Sequence, residues 1–153
     1  MAISPRFAFD ETGFYGTNTT YFIPRSDLYL LGLLNSRLAN FYFATICAGL
    51  EGKTERYLRF FGQYLSGFPV PRLNMSGADN KAAYDRMLTL VASMIRLLKQ
   101  FAAAKSAAQA GIVQHGIDAT DAEIDQLVYD LYRLTADEIA TVEGSSHRPT
   151  AAV

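Results

Sequence analysis

Residues 27–73 limit the possible fold more than any other part of this chain, because three different local patterns follow one another there. The first is a leucine-rich run interrupted by Asn-Ser, Asp27-Leu-Tyr-Leu-Leu-Gly-Leu-Leu-Asn-Ser-Arg-Leu-Ala-Asn-Phe-Tyr42. The second is a polar loop, Gly49-Leu-Glu-Gly-Lys-Thr-Glu-Arg56. The third ends in two prolines, Tyr57-Leu-Arg-Phe-Phe-Gly-Gln-Tyr-Leu-Ser-Gly-Phe-Pro-Val-Pro-Arg72. This order predicts a helix, a loop and then an extended segment.

The composition divides the chain into two halves. Residues 1–78 carry seven basic and five acidic side chains, whereas residues 79–153 carry seven basic and ten acidic ones. Fifteen of the nineteen aromatic residues lie before residue 79. The 153 residues suffice for one domain with a real core, and no apolar run approaches the ~20 residues of a membrane span. The single cysteine, Cys47, excludes an internal disulfide and favours a reduced, cytoplasmic protein.

The first half is predicted to combine strands with one helix. Residues 6–10 alternate between polar and apolar, and residues 14–23 are rich in β-branched and aromatic side chains; both patterns are typical of strands. Residues 56–63 are expected to form a further strand. Ser26-Asp27 offers an N-cap to a helix that continues to Thr45, and Gly49 and Gly52 are expected to end it. Five residues on one stripe of this helix are predicted to be buried, whereas Arg37 and Asn40 face outward: Leu31, Leu34, Leu38, Phe41 and Thr45.

The second half is predicted to be helical. Apolar residues recur at three- and four-residue steps between Tyr84 and Phe101, which indicates a helix from Asp79 to about Ala110 that Gly111 and Gly116 break. Capping boxes at Thr120–Glu123 and Thr135–Glu138 then predict a second and a third helix. The expected fold class is α+β, with a small, mostly antiparallel sheet packed on the apolar helix and an antiparallel helical hairpin after it. The expected division is 1–76, a partial recognition-type domain; 77–143, the hairpin and a short helix; and 144–153, a disordered tail.

The order of leucine-rich helix with Leu-Asn-Ser, polar loop and Leu-x-x-Phe-Pro-Val-Pro resembles the TaqI-like C-terminal specificity domain of type II (type IIG) restriction–modification methyltransferases. More distantly it resembles the specificity subunits of type I systems. Glu123-Ile-Asp-Gln-Leu-Val-Tyr-Asp-Leu-Tyr-Arg-Leu-Thr-Ala-Asp-Glu-Ile is similar to the stretch that follows the recognition domain in these proteins. The resemblance implies a module that selects a DNA sequence. Members carry a methyltransferase domain upstream with a glycine motif and an Asn-Pro-Pro-aromatic motif, and this chain has neither.

Patterns for catalysis or metal binding do not assemble in this sequence. Its two histidines, His115 and His147, and its single cysteine cannot make a zinc-ligand cluster. Glu123, Asp125 and Asp130 are most simply the solvated face of a helix. Gly49-x-x-Gly-Lys-Thr54 has two residues between its glycines, where a phosphate-binding loop needs four. We therefore expect no catalytic residues, no metal site and no cofactor.

A DNA-binding surface is the remaining candidate. Lys53, Arg56 and Arg59 lie within seven residues of one another with Thr54 and Gln63 beside them, and Thr17 and Asn18 offer uncharged hydrogen-bonding groups. Lysine and arginine neutralise phosphates, and arginine and glutamine also bind base edges. The simpler interpretations remain open at this point, since the charges can be solubilising residues and the threonines ordinary strand formers.

Two functions are compatible with these patterns. The first is the DNA sequence-recognition module of a restriction–modification system, the C-terminal part of a larger methyltransferase or restriction enzyme, with double-stranded DNA and a catalytic domain or subunit as partners. The second is a protein-interaction or oligomerisation module that pairs with a methyltransferase subunit or with itself and does not contact DNA. We expect a homodimer through the 91–101 region, because an apolar stripe of this length is seldom exposed.

Overall fold

The computed structural model describes residues 6–13, 15–16, 20–51, 56–59 and 61–145. In these residues the elements follow in the order α1 (Leu28–Asn35), α2 (Arg37–Ile46), β1 (Ala48–Glu51), β2 (Arg56–Arg59), α3 (Gly62–Ser66), α4 (Ala78–Ala102), α5 (Ala107–Tyr132) and α6 (Ala136–Ser145). The predicted α+β class is wrong. Helices dominate, and the strands of the described residues are one short antiparallel pair, β1 and β2, rather than a sheet packed on a helix.

The expected N-terminal strands are absent from the described residues. The backbone of Phe7 is bound by a side chain, since Phe7 N donates to Asn35 Oδ1 at 3.1 Å and Asn35 Nδ2 donates to Phe7 O at 3.0 Å. These bonds take the place of a strand ladder at residues 6–10. Tyr15, Gly16 and residues 20–23 have no strand structure, and the rest of the expected 14–23 strand lies outside the described residues. Of the third expected strand, Arg56–Arg59 forms β2, Phe60 lies outside the described residues, and the chain is helical from Gly62.

The leucine-rich run forms two helices rather than the expected single one. Asp27 caps α1 as predicted, because its carboxylate accepts from Leu30 N at 3.1 Å. Ser36 then leaves the helical conformation and starts α2, with Oγ accepting from Ala39 N at 3.2 Å. The break shifts the helical phase, so the predicted stripe is confirmed at Leu34, which is buried, and wrong at Thr45, which is exposed. Burial falls also on residues outside that stripe: Tyr29, Leu33, Ala39 and Phe43. Helix α2 ends at Ile46, with Cys47 as its C-cap, before the two glycines that were expected to end it.

Helices α4 and α5 form an antiparallel hairpin whose turn precedes the predicted position. Chain reversal occurs at residues 103–106, where Ser106 Oγ accepts from Gln109 N and Gln109 Oε1 accepts from Lys105 N, both at 3.2 Å. Gly111 and Gly116 lie inside α5. Gly116 allows close approach, because a Cβ there would be 3.3 Å from Leu97 Cδ2. The capping box expected at Thr120 is wrong, since Thr120 is inside α5 and donates to Gly116 O at 2.8 Å.

The capping box at Thr135 is confirmed. Thr135 N donates to Glu138 Oε2 at 2.7 Å, and Glu138 N donates to Thr135 Oγ1 at 3.4 Å. Two donors at the start of α6 are thereby satisfied reciprocally. The bond from Thr135 N and a further bond from Thr135 Oγ1 to Glu138 Oε2, at 2.9 Å, lower the pKa of Glu138. Helix α6 continues to Ser145, and residues 146–153 of the expected tail lie outside the described residues.

One hydrophobic core draws on both halves of the sequence. Helix α1 packs on α4 through Gly32, where a Cβ would lie 2.5 Å from Met87 Sδ and 2.8 Å from Val91 Cγ2. Thirteen buried residues form the core: Tyr29, Leu33, Leu34, Ala39, Phe43, Cys47, Leu58, Phe68, Met87, Val91, Ile124, Leu127 and Val128. The hairpin α4–α5 is therefore part of the scaffold on which the first half is built.

Candidate nucleic-acid interface

The polar loop predicted to bind DNA belongs to a β-hairpin. Strands β1 and β2 are antiparallel, with Glu51 opposite Arg56 and Ala48 opposite Arg59. Lys53 and Thr54 lie outside the described residues, between the two strands. The backbone thus places Arg56 and Arg59 at the two ends of β2. Leu58, between them, is only 3% exposed and anchors the hairpin in the core.

Gln63 lies in α3, shortly after β2, and its side chain is exposed. Arg56 and Arg59 thus lie in β2 and Gln63 in α3, with Phe60 between the two elements outside the described residues. Thr17 and Asn18 lie outside the described residues, and their proximity to the hairpin stays a prediction.

An aromatic cluster fixes the chain that follows α3 against α2. Phe68 is buried, and the centroid of its ring lies 5.5 Å from that of Phe43 and 5.3 Å from that of Tyr42. Tyr42 Oη donates to Gly67 O at 2.8 Å. Ring pairs of this kind each stabilise a fold by about 1 kcal/mol beyond the burial of their area. Segment 67–69 is therefore held firmly, which limits the positions open to α3 and β2 before it.

A contact from α5 holds the same segment from the other side. Tyr132 Oη donates to Pro69 O at 2.6 Å. Burial raises the pKa of Tyr132, so its hydroxyl remains a protonated donor at neutral pH. Pro69 belongs to the Phe-Pro-Val-Pro sequence and Tyr132 to the Leu-Val-Tyr-x-Leu-Tyr sequence, so the two motifs that were notable in the primary structure are in direct contact.

Asn35, Ser36 and Arg37 form a junction between three parts of the chain. Asn35 binds the backbone of Phe7, as described above, and Nδ2 also donates to Leu31 O at 3.1 Å. Ser36, only 1% exposed, donates from Oγ to Leu33 O at 2.7 Å and caps α2. Arg37 reaches α5: its backbone N donates to Asp125 Oδ1 at 2.8 Å, and its Nε lies 3.1 Å from Asp125 Oδ2.

Asp125 is a buried carboxylate at the first turn of α2. The pKa of Asp125 is raised from 3.8 to about 6. Burial is the largest cause and the nearby Glu143 adds to it, while the backbone N–H and guanidinium of Arg37 act in the opposite direction. The desolvation of the charge outweighs the ion pair because Arg37 remains partly exposed, at 37% of its side chain, whereas Asp125 is 5% exposed. The free N–H groups at the start of α2 also favour a carboxylate there.

The sequence reasoning missed Arg37 and Asp125, since it placed both on solvated helix faces. The break at Ser36 and the position of α2 against α5 bring them together, and neither is visible in local periodicity. Their occurrence inside the two motifs was the signal that could have identified them. Their role is to position helices, and they form no chemical site.

Two further properties concern the described residues as a whole. Within them no group of three or more His, Cys, Asp or Glu side chains could hold a metal ion. No helix among them has the length and apolar character needed to cross a membrane.

Comparison with known proteins identifies the first part of the chain. Residues 2–70 match the family model of the TaqI-like C-terminal specificity domain. No curated protein and no solved structure matches the chain. The resemblance noted in the sequence is therefore confirmed for residues 2–70, which are similar to the specificity domain of restriction–modification proteins, a kind of domain that is not catalytic by itself.

Proposed function

We propose that the chain is the DNA sequence-recognition module of a cytoplasmic restriction–modification system and forms the C-terminal part of a larger methyltransferase or restriction enzyme. The observation that carries this proposal is the match of residues 2–70 to a specificity-domain model. Double-stranded DNA and a methyltransferase or restriction catalytic domain are the partners that such a module requires. Chemistry on DNA then belongs to that partner.

The β1–β2 hairpin and α3 are the proposed DNA-contacting part. Lys53, Arg56 and Arg59 would neutralise phosphates, and Thr54 and Gln63 would supply hydrogen-bonding groups for base edges or phosphates. Thr17 and Asn18 are the other proposed contacts, from the N-terminal segment. In support, Leu58, the Phe68 cluster and the Tyr132–Pro69 bond hold this region rigidly, and a recognition surface gains affinity when it is preorganised.

Replacing Lys53, Arg56 and Arg59 together with alanine tests the proposal. In a fluorescence titration against duplex DNA, the logarithm of the binding constant should fall less steeply with the logarithm of salt concentration, by roughly two to three units of slope. The matched control is the triple alanine variant of Lys81, Arg86 and Arg133, which also removes one lysine and two arginines and should leave the slope unchanged. An unchanged slope in the first variant would remove the hairpin from the interface.

A protein-interaction module is the second proposal, and two exposed residues favour it. Leu98 is 44% exposed and Ile112 is 75% exposed, both on the α4–α5 hairpin, while Met87 and Val91 of the same apolar stripe are covered by α1. A homodimer through the 91–101 region would bury Leu98. Sedimentation of the parent and of Leu98→Glu tests this proposal, because the parent should have the mass of a dimer and the variant half that mass. The proposal also requires that the parent shows no salt-dependent binding of duplex DNA.

A further inference from the structure

The end of the α4–α5 hairpin that includes its turn projects beyond the core. Ile95 is the last residue of α4 that packs on the hydrophobic core, although the helix continues to Ala102. At 1.5 Å per residue the projection is about 10 Å long. We call residues 96–117 the hairpin arm; they comprise the end of α4, the turn and the start of α5. Its two helices support each other, as the approach of Leu97 to Gly116 illustrates.

The charge of the hairpin arm has a single sign. It contains Arg96, Lys99 and Lys105 and no aspartate or glutamate. Residues 118–145, directly after it, contain eight carboxylates and one cation, Arg133. A surface that only keeps a protein soluble intersperses both signs, so this segregation needs another explanation.

The cations of the arm are also not neutralised within the described residues. Lys81 and Arg86, at the other end of α4, have carboxylate partners at 2.6 Å and 3.2 Å, Asp85 and Glu123. Arg96 and Lys99 take part in no ion pair there, and Arg96 contacts Ser93 Oγ at 3.2 Å. Both are exposed and line one shallow groove with Gln100 and the small residues Ala92 and Ala103. Small side chains beside the cations leave room for a ligand at the helix surface.

We propose that the hairpin arm binds the phosphate backbone of double-stranded DNA and is a second contact, separate from the β1–β2 hairpin. This inference rests on the proposed function and extends it to residues outside the 2–70 match. Phosphates are the complement of exposed cations that lack carboxylate partners, and the lysine and arginine side chains release condensed counterions on binding.

The spacing of the arm from the first proposed interface suits a duplex. Tyr132, at the end of α5, contacts Pro69, whereas the arm includes the start of the same helix. Leu97, next to Arg96, packs against Gly116, which lies 16 residues before Tyr132, so about 24 Å of helix separates these cations from the Pro69 contact. This distance is shorter than one turn of B-DNA, about 34 Å, so a duplex that contacts the segment around α3 can reach the arm within the same turn.

A second copy of the chain is the rival occupant of the arm. In a two-fold dimer through this surface, the same patch of both copies forms the interface, so one arm packs against the other arm. The three cations of one arm would then face the three of the other, without a carboxylate in either arm. These like charges would repel one another in a dimer, whereas the phosphates of DNA attract them, which is why we assign the arm to DNA.

The test compares two double variants of the full chain in salt-dependent titrations with a fluorescent, mixed-sequence duplex. Arg96→Ala with Lys99→Ala should reduce the salt slope by about two units. The matched control, Lys81→Ala with Arg86→Ala, removes the same two residue types from the same helix and should leave the slope unchanged. Arg96→Lys with Lys99→Arg keeps both charges and should retain the parent slope, which separates phosphate contact from a loss of packing.

The failures of the two proposals are distinguishable. If the arm variant keeps the parent slope while the hairpin variant at Lys53, Arg56 and Arg59 lowers it, the arm proposal is overturned and the proposed function stands. If the parent chain binds no duplex even at the lowest salt, both are overturned. If sedimentation shows that the arm variant dissociates a dimer while duplex binding is unaltered, the arm belongs to a second copy.

Discussion

Arg37 and Asp125 connect helices whose contacting residues are 88 positions apart in the chain. A buried charge is stable only when other groups replace its hydration, and here the start of α2 and the Arg37 guanidinium do so. The replacement is incomplete, since the pKa of Asp125 is raised to about 6. The carboxylate thus orients α2 against α5 while it opposes folding in its ionised form.

This conflict predicts a pH dependence of stability. The folded pKa of about 6 exceeds the model value of 3.8, so the folded state binds more protons than the unfolded state between these two values. The contribution of Asp125 to the free energy of unfolding is therefore present in full below pH ~4 and is lost as the pH rises to ~6. The loss is on the order of 3 kcal/mol. Relative to Asp125→Asn, the parent chain should lose stability over this range.

Urea unfolding at several pH values measures the effect. At any one pH, the difference in free energy of unfolding between the parent and Asp125→Asn also includes the lost ion pair. The informative quantity is therefore the change of this difference with pH. Asp118→Asn, which removes an exposed carboxylate from the same helix, controls for general charge effects. A parent chain that gains stability over Asp125→Asn as pH rises would mean that the Arg37 ion pair dominates the desolvation.

At the scale of helices, two glycines of similar sequence context have opposite roles. Gly32 lies where α1 meets α4, and an added methyl group would overlap Met87 and Val91. Gly111 is inside α5 with nothing within 4 Å of a Cβ placed there. Gly32→Ala should destabilise the protein by about 1–3 kcal/mol through overpacking. Gly111→Ala should stabilise it by up to ~1 kcal/mol, because alanine favours the helix. Thermal unfolding of both variants checks this pair, and equal effects of one sign would contradict the α1–α4 packing.

Signals confined to one turn of helix were predictable from the sequence. The cap at Asp27 and the capping box at Thr135 form as expected, because the bonds involve only neighbouring residues. The same pattern at Thr120 failed, since α5 had already started at Ser106 and a threonine inside a helix can bond to the preceding turn. The Ser106–Gln109 pattern, which does start the helix, was present in the sequence and was overlooked.

Features that depend on distant contacts were not predictable in this way. Strand-like residues at 6–10 form no strand because Asn35 binds the backbone of Phe7. The buried face of the leucine-rich run depends on the break at Ser36, which shifts the helical phase. For the candidate site, the sequence placed Arg56, Arg59 and Gln63 in one segment, while the Arg37–Asp125 and Tyr132–Pro69 contacts that support it were visible only in the structure.

For the molecule as a whole, the matched region and the helices after it share one core. Leu33 and Leu34 of α1 are buried together with Met87, Val91 and Val128 of the hairpin, although the family match ends at residue 70. Without α4 and α5, Leu33 and Leu34 would lose the side chains that bury them, and Arg37 would lose its partner Asp125. The division of the chain at residues 76 and 77 is therefore a proposal about sequence units, and their independence can be tested.

A chain that ends after residue 77 should not fold cooperatively. Burial of a leucine side chain stabilises a fold by roughly 1.5–3 kcal/mol, so exposing the α1 surface removes several times that amount, comparable with the whole stability of a small domain. Circular dichroism during urea unfolding measures cooperativity, and the chain ending at residue 145 is the control, since it retains all described helices. Adding residues 78–145 as a separate chain should restore a cooperative transition and bring back protection of the α1 amides from hydrogen exchange. A sharp transition of the 1–77 chain alone would show that the specificity module is independent of its helical hairpin.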